Sequence, residues 1–504
     1  MPNKKNAKVD FVRQEVRDLL PKWAMIRDCI AGTFAIKAQR TLYLVMPNSD
    51  DQSKQNLARY SARLARAVFY NVTGRTLSGL IGQVFAKEPS ADVPPTLQPF
   101  LLDVDGAGVT LDQQAKRALG YVLAHGRAGL LVDYPALTDV NGQAVPTTRA
   151  DLLAGNVRPT ITIYEPWNIV NWRHRQIGSK TLLSLVVILE QYLKEDDGFE
   201  PTYEDQYRVL RLNEAGQYEV AIYQKRDDGW EEISLVVVRD AKGKPLDMLP
   251  FTFIGAENNE PEPDQPPLLD MSTLNVAHYN NSADYEDSLY TTGQPTYVFS
   301  GLTEHWVKNV LNGSVSVGSA SGVMLPPGAT AQILQPNPNT MAKEGMEHKE
   351  RQMKALGAKL VEDKAVQRTA TEAGMEEASE TSILTSSANN VSAAYTFALG
   401  WALTFVGEAR NDSLDYALNT DLQVSRLTSQ DRAQLIAEWQ AGGMDWEEYR
   451  WNMRRGGLVF KDDDVVKEEV AAEAATAAIN AQENMIAAGG DTNNQDTNNQ
   501  DPNA

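Results

Sequence analysis

Residues 266–293 read PPLLDMSTLNVAHYNNSADYEDSLYTTG, and Pro295 follows closely. The paired prolines suit the first turn of a helix, and Thr291-Thr292-Gly293 with Pro295 stops it, so both ends are marked. Between them Met271, Leu274, His278, Tyr285 and Leu289 recur at three, four and seven residues, while Asn275, Tyr279, Asn280, Asp284 and Asp287 fill the other sides. The apolar stripe is thin. A helix this long and this polar gains little from a monomer core, so the expectation is lateral packing against a copy of itself or a similar neighbour. An ordinary surface helix is the plainer alternative.

Downstream, Pro295–Phe299 and Val323–Leu325 are short β-type runs, with Asn312-Gly313, Gly318, Gly322 and Pro326-Pro327-Gly328 as turns. A second helix is predicted from about Thr340, its N-cap, to Val361. Met346, Met353, Leu356 and Leu360 make one narrow seam on it, and the rest is charged or polar, including Glu350 and Lys354 at i,i+4. After a polar break, a third helix beginning beyond Thr371 carries Ile383, Leu384, Val391, Tyr395, Leu399 and Phe405 among small residues that permit close approach.

This succession resembles the stem, clip, second stem helix, tunnel loop and long inner helix of tailed-phage portal proteins. The N-terminal third resembles one portal-like phage family, long catalogued only as a domain of unknown function. The matching words include Trp23 with Ile26-Arg27-Asp28 and Gly32, Arg66 through Asn71, Gly79-Leu80, Lys87-Glu88-Pro89, Leu131 through Pro135, and Ile169 through Arg173. Leu427 through Gly457 resembles a helical crown hairpin: Ser429 as cap, Leu435 and Trp439 on the first helix, Gly442-Gly443 as its stop, and Asp445 with Glu448 starting a helix that holds Tyr449 and Met453. The resemblance is weakest across 190–260.

The resemblance implies an α+β, helix-rich portal fold of wing, stem, clip and crown, forming a ring with a central channel. Its divisions would be an N-terminal region and wing (1–265), stem helix 1 (266–293), clip (294–337), stem helix 2 (338–361), tunnel loop (362–371), inner long helix and wing return (372–425) and crown (426–488). Residues 489–504 repeat Asp-Thr-Asn-Asn-Gln and are expected to be disordered. Lys364, Gln367, Arg368 and Thr369 would fall in the tunnel loop and touch passing DNA, though any loop between two helices would read similarly. Met271, Leu274, His278, Tyr285, Leu289, Met346 and Met353 would form the stem interface between subunits.

Composition is compatible with this reading. A chain of 504 residues with 42% hydrophobic content can bury a large core. Tyr207–Leu212, Tyr218–Tyr223 and Ile233–Val238 alternate as antiparallel strands. Cys29 is the single cysteine, which excludes an internal disulfide and suits a reducing cytosol. Met1–Asp10 has no apolar run of the secretory type, and Ala393–Val406, the most apolar stretch, is shorter than the ~20 residues a membrane span needs. The net charge of -20 argues against gripping nucleic acid. It suits a lumen that repels passing DNA; solubility alone is the simpler account.

Sequence chemistry is sparse. The five histidines are at least 27 residues apart, no phosphate-binding loop or nucleophile elbow occurs, and Asp462-Asp463-Asp464 reads as the solvated start of a helix. No catalytic residue, metal or cofactor is expected, and a packaging ATPase would be another protein. The resemblance implies a homododecamer at one capsid vertex, assembled in host cytoplasm and carried in the virion. It would contact double-stranded DNA without sequence specificity, terminase, a head-completion or tail adaptor protein, and the major capsid and scaffold proteins. The alternatives are a minor capsid or adaptor protein of another oligomeric state and an acidic cytosolic enzyme of unfamiliar fold.

Overall fold

The structure, a computed structural model, describes residues 8–134, 137–138, 144–145, 158–226, 229–293, 296–311, 324–334, 340–360, 382–409, 414–420, 429–446 and 448–450. The chain divides into two compact units, Met1–Thr420 and Asp421–Ala504.

The first unit opens with helices α1 (Gln14–Ala31), α2 (Thr33–Ala38), α3 (Lys54–Arg66) and α4 (Val72–Val84). Strand β1 (Ser90–Asp92), α5 (Gln98–Leu102) and α6 (Leu111–His125) follow. Local chemistry sets their ends. Ser53 caps α3 by accepting from the Asn56 N–H, Asn71 caps α4 by accepting from Gly74, and Thr110 with Gln113 closes a capping box on α6. Gly126, at φ +74°, terminates α6 where a Cβ would lie 2.5 Å from the Asp264 carbonyl oxygen.

Two sheets build the middle of this unit. Strand β2 (Arg127–Asp133), buried along six of its seven residues, leads to the short pair β3 (Leu137–Thr138) and β4 (Ala144–Val145), and then to β5 (Thr160–Tyr164). A five-stranded antiparallel meander follows: β6 (Ile169–Ile177), β7 (Lys180–Asp196), β8 (Pro201–Leu212), β9 (Tyr218–Arg226) and β10 (Gly229–Val237). The three alternating runs expected from sequence fall in β8, β9 and β10. Strand β11 (Phe251–Gly255) returns to β2, making β2 the centre of a three-stranded antiparallel sheet between β11 and β5. Gly129 is opposite Phe253 and Tyr164 there, and a Cβ on it would stand 2.6 Å from the Phe251 ring and 2.7 Å from Ile169. Next to it Arg127 is fully buried, its guanidinium 4.1 Å from the Trp172 ring centre and 4.4 Å from that of Phe253, and burial lowers its pKa to about 9.

The chain then forms α7 (Leu269–Thr292), β12 (Thr296–Ser300), α8 (Glu304–Asn309), β13 (Thr330–Leu334) and α9 (Met341–Lys359). Helix α10 (Ile383–Val406) and β14 (Asp415–Ala417) complete the unit. β12 pairs antiparallel with Thr330–Leu334, and of the β-type run read at 323–325 the described residues Met324 and Leu325 form no strand. Met324 and Leu325 precede Pro326-Pro327, which lack N–H donors, and the chain first turns there, Ala329 donating to the Pro326 carbonyl, before it can pair. Ser382 caps α10. Leu384, Val391, Tyr395, Leu399 and Phe405 are buried along it against the three-stranded sheet and α6, and the helix runs unbroken through Gly400. Residues 361–381, Gly374 among them, lie outside the described residues.

In the second unit, α11 (Ser429–Gln440) ends near Gly442, at φ +75°, and Asp445 accepts from the Glu448 N–H. Trp439 stacks on Tyr449 at 4.8 Å and meets Trp446 at 5.4 Å.

His125 closes α6 in the core, packed edge-on to Trp167 at 5.2 Å, and burial pushes its imidazole from 6.5 down to about 4. The unfolded chain therefore takes up this proton at higher pH than the folded one, so the group's contribution is present above pH 6.5 and lost as pH falls toward 4. The expected loss is about 3 kcal/mol. Melting temperature measured against pH should fall across that window, and His125→Phe should flatten the fall; an unchanged slope in the variant would refute the assignment.

Candidate functional site

The candidate site is the surface built by α7 and the elements on its sides. α7 and α9 lie side by side and antiparallel, as three contacts define. Met271 Cε is 3.5 Å from where a Gly357 Cβ would stand, the His278 ring is 3.4 Å from Glu350 Oε1, and Asn281 Nδ2 is 2.7 Å from the Cβ position of Gly345. From Met271 through His278 to Asn281 the partner on α9 falls from Gly357 through Glu350 to Gly345. Gly345 and Gly357 thus face α7 and let the helices approach closely.

The polar residues of α7 point into its own chain. Asn275 Oδ1 accepts from the backbone N–H groups of Val72 and Thr73, 3.2 Å each, and from the Thr73 hydroxyl at 3.1 Å, while its Nδ2 donates to the Tyr70 carbonyl at 2.8 Å. Asn280 accepts from the Val45 N–H at 3.2 Å and donates to the Tyr43 carbonyl at 2.7 Å. Ser282 accepts from the Val68 N–H at 3.2 Å. Arg63 meets Asp284 at 2.8 Å, and Arg66 donates to Asp287 at 3.1 Å. Tyr279 is fully buried with Phe69 edge-on at 5.9 Å. The expectation that so polar a helix gains little within one chain is therefore corrected, because its amides and carboxylates serve backbone breaks and arginines of the N-terminal helices.

This placement sorts the residues proposed from sequence. Met271, His278 and Met353 are buried inside the chain, Leu274, Tyr285 and Met346 are half-buried, and Leu289 is exposed beside Tyr290. Burial lowers the pKa of His278, opposed by its bond to Glu350. Lys364, Gln367, Arg368 and Thr369 lie outside the described residues.

Two concavities open on the first unit, one beside α7 and one elsewhere. One, of about 510 Å³, lies between α3 and α7 and is lined by Val45, Met46, Pro47 and Arg59, with Asn280 and Asp284 on the α7 side. The other, of about 710 Å³, runs along α10 and β14 past Asn389, Thr396, Phe397, Leu414 and Tyr416. In the second, the Thr396 hydroxyl donates to Asp415 at 3.5 Å and accepts from the Tyr416 N–H at 3.0 Å, bonds that tie β14 to α10. Among the described residues there is no group of three or more His, Cys, Asp or Glu side chains placed to hold a metal, and no helix long and apolar enough to cross a membrane.

A family model described as a domain of unknown function (DUF4055) matches residues 267–406, the span from α7 through α10. No curated protein matches the chain. Solved structures similar to it include a chain from the virion of a native gene transfer agent particle, at 14% identity and TM-score 0.39, covering 84% of this chain and 99% of that one. A chain from the neck of the empty particle, computed with C6 symmetry, is similar at 14% identity and TM-score 0.39 over 86% of this chain and 100% of that one. A third, from the neck of the native particle computed with C12 symmetry, shows 15% identity and TM-score 0.39 over 76% and 89%.

Sequence reasoning passed over Asn275 as a buried anchor, and it passed over Val45 and Arg59. The signal for Asn275 was its place beside the apolar stripe at i+4 from Met271, where a solvated residue has no need to be an amide. Asn275→Ala would leave the Thr73 N–H and hydroxyl without the acceptor they share in a buried place, while the Val72 N–H and the Tyr70 carbonyl would keep only their 2.9 Å bond to each other. The expected cost is about 2 to 4 kcal/mol in urea-unfolding midpoints converted to free energy; a shift below about 0.5 kcal/mol would show that water replaces the amide.

Proposed function

We propose that the chain is a subunit of a ring-shaped conduit of the portal type, placed at one capsid vertex of a tailed-phage-like particle, through which double-stranded DNA enters and leaves. It performs no covalent chemistry. The observation that carries the reading is the order and packing of α7, the β12–β13 hairpin, α9 and α10. Two long antiparallel helices carry a small β excursion at one end, and the chain then returns as a buried helix of 24 residues. That is the stem, clip, stem and inner-helix order that the sequence words also resemble.

The exposed apolar residues of the excursion support a docking role for it. Tyr297, Met324, Ile333 and Leu334 are all exposed, and such a collection normally marks a surface that another protein covers. In this reading residues 294–337 meet terminase during packaging and a head-completion or tail adaptor afterwards. Residues 426–488 form the crown inside the head. The major capsid and scaffold proteins surround the ring, a homododecamer. The acidic balance of the chain, -20 overall, keeps duplex DNA from adhering to the lumen. Of the proposed stem contacts, Tyr285, Leu289 and Met346 retain surface for a neighbour, whereas Met271, His278 and Met353 act by holding α7 and α9 together.

Negative-stain electron microscopy of the purified protein should give end-on rings with a central hole and about twelvefold symmetry. The double change Tyr285→Asp and Leu289→Asp should reduce them to monomers or small oligomers. Monomeric wild-type protein, in the presence of scaffold as well as its absence, would remove the conduit reading; intact rings from the variant would remove these two residues from the interface.

Lys364, Gln367, Arg368 and Thr369 are the proposed contacts with passing DNA. Changing Lys364 and Arg368 to Glu should leave rings intact and reduce the amount of genome packaged or retained. Unchanged genome length and particle yield would count against the assignment.

A further inference from the structure

We propose that the far end of the β7–β8 hairpin is a knob that docks into the cavity between α3 and α7 of a second copy of this chain. The inference rests on the ring reading above and names a contact by which neighbouring subunits recognise each other.

The hairpin outruns its sheet. β6 pairs with β7 only as far as Ile188, and β9 pairs with β8 only from Gln206 onward, so Gln191–Asp205 is a two-stranded ribbon with no third strand. Such a ribbon is marginal in water by itself. Leu193 and Tyr203 face each other across it, 48% and 56% exposed, and Phe199 at the tip is 98% exposed. The tip is nevertheless built to a fixed shape. Asp196 accepts from the Gly198 N–H at 2.8 Å, and Asp197 accepts from Phe199 at 2.8 Å and Glu200 at 2.7 Å, bonds that hold the Asp197 carboxyl below its ordinary range. Phe199 is thus held outward on a rigid turn and touches almost nothing of its own chain. An aromatic side chain presented this way is the kind that anchors an interface.

Charge selects the receiving surface. Residues 190–205 hold seven carboxylates and one lysine, so most of a chain of net charge -20 repels them. Residues 33–66, with six basic residues and two acidic ones, are among the few stretches of opposite sign, and of these stretches they are the one that lines a cavity between α3 and α7. Within that segment Val45, Met46, Pro47 and Arg59 line the 510 Å³ cavity, which is roomy enough for a phenyl ring. Its acidic wall is already neutralised, because Asp284 and Asp287 pair with Arg63 and Arg66. Arg59 has no carboxylate partner among the described residues and is free to meet Asp196 or Glu200 of an incoming tip. Knob and cavity are different surfaces, so each copy gives one and receives one, the head-to-tail arrangement that a closed ring requires.

The test uses the full chain with two variants at exposed positions: one with Leu193, Phe199 and Tyr203 changed to Ser, the other with Val45→Glu and Arg59→Glu. Unchanged circular dichroism and melting establish that both fold. In mass photometry each alone should associate at least about tenfold more weakly than wild type. An equimolar mixture should form dimers and stop there, because only one good knob and one good cavity remain. Wild-type rings with variants that also form rings would overturn the knob while leaving the conduit reading in place. If wild type proves monomeric, oxidation of a mixture of Phe199→Cys and Pro47→Cys chains decides the contact separately: a disulfide-linked dimer upholds it without the ring, and no dimer removes both. A Val45→Glu, Arg59→Glu variant that assembles normally but loses retention of a DNA duplex would assign the basic face to nucleic acid and overturn the proposal.

Discussion

The first unit depends on the buried amide of Asn275. Backbone donors and acceptors removed from water must find partners, and the N-terminal helices are short, with a break before α4 whose N–H groups have no helical acceptor. Asn275 supplies three acceptor contacts and one donor contact there, and Asn280 and Ser282 do the same for the neighbouring breaks at Val45 and Val68. These bonds are directional, so they fix rotation and register as well as proximity. Apolar burial alone would let α7 slide or turn against α1, α3 and α4. With α7 held, α9 follows, because the close approaches at Gly345 and Gly357 admit one antiparallel placement.

The elements that show in the sequence are those whose signals are local. Pro266-Pro267 and Gly293 bracket α7 within a few residues, the alternation in Tyr207–Leu212 and Tyr218–Tyr223 marks two strands of the meander, and the apolar run through Ala393–Val406 marks a core helix. What did not show is where a polar face goes. Periodicity separates the sides of a helix but is silent on whether an asparagine faces water, a neighbour subunit or the backbone of a segment two hundred residues earlier. The same limit applies to the strand that β12 pairs with. A run such as Val323–Leu325 has the right composition, yet pairing depends on which stretch beyond the Pro326-Pro327 turn can present a continuous set of N–H groups. The acidic hairpin tip was legible only as turn chemistry, Asp-Asp-Gly, in the stretch where family words are weakest.

Charge in this chain is segregated, and that matters more than its sum. Arg63 and Arg66 are consumed by carboxylates of α7, and Arg208 by Asp133 and Glu190, so they serve the protomer. The hairpin tip and Arg59 on the α3 side of the cavity keep their charges in solvent. Exposed pairs of this sort contribute little to stability, but they steer encounter and penalise wrong pairings. Two acidic tips repel each other, and two basic faces do likewise, so a symmetric dimer through either surface is disfavoured while the mixed contact is favoured.

The mixed contact would also place the neighbour on the helix that organises the subunit itself. One wall of the cavity is α7, through Asn280 and Asp284, and Asn280 is at the same time a bond to the Tyr43–Val45 break. A side chain pressed against Val45 and Pro47 therefore loads a segment that α7 already holds by hydrogen bonds, and through α7 it loads α9. A tilt of a neighbouring subunit would then reach the helix pair through the bonds of Asn280 to Val45 and Tyr43 and the contact of His278 with Glu350. If the proposed ring forms, such coupling would make the helix pairs of successive subunits move together, which is the property the proposed conduit would need for its bore to stay uniform.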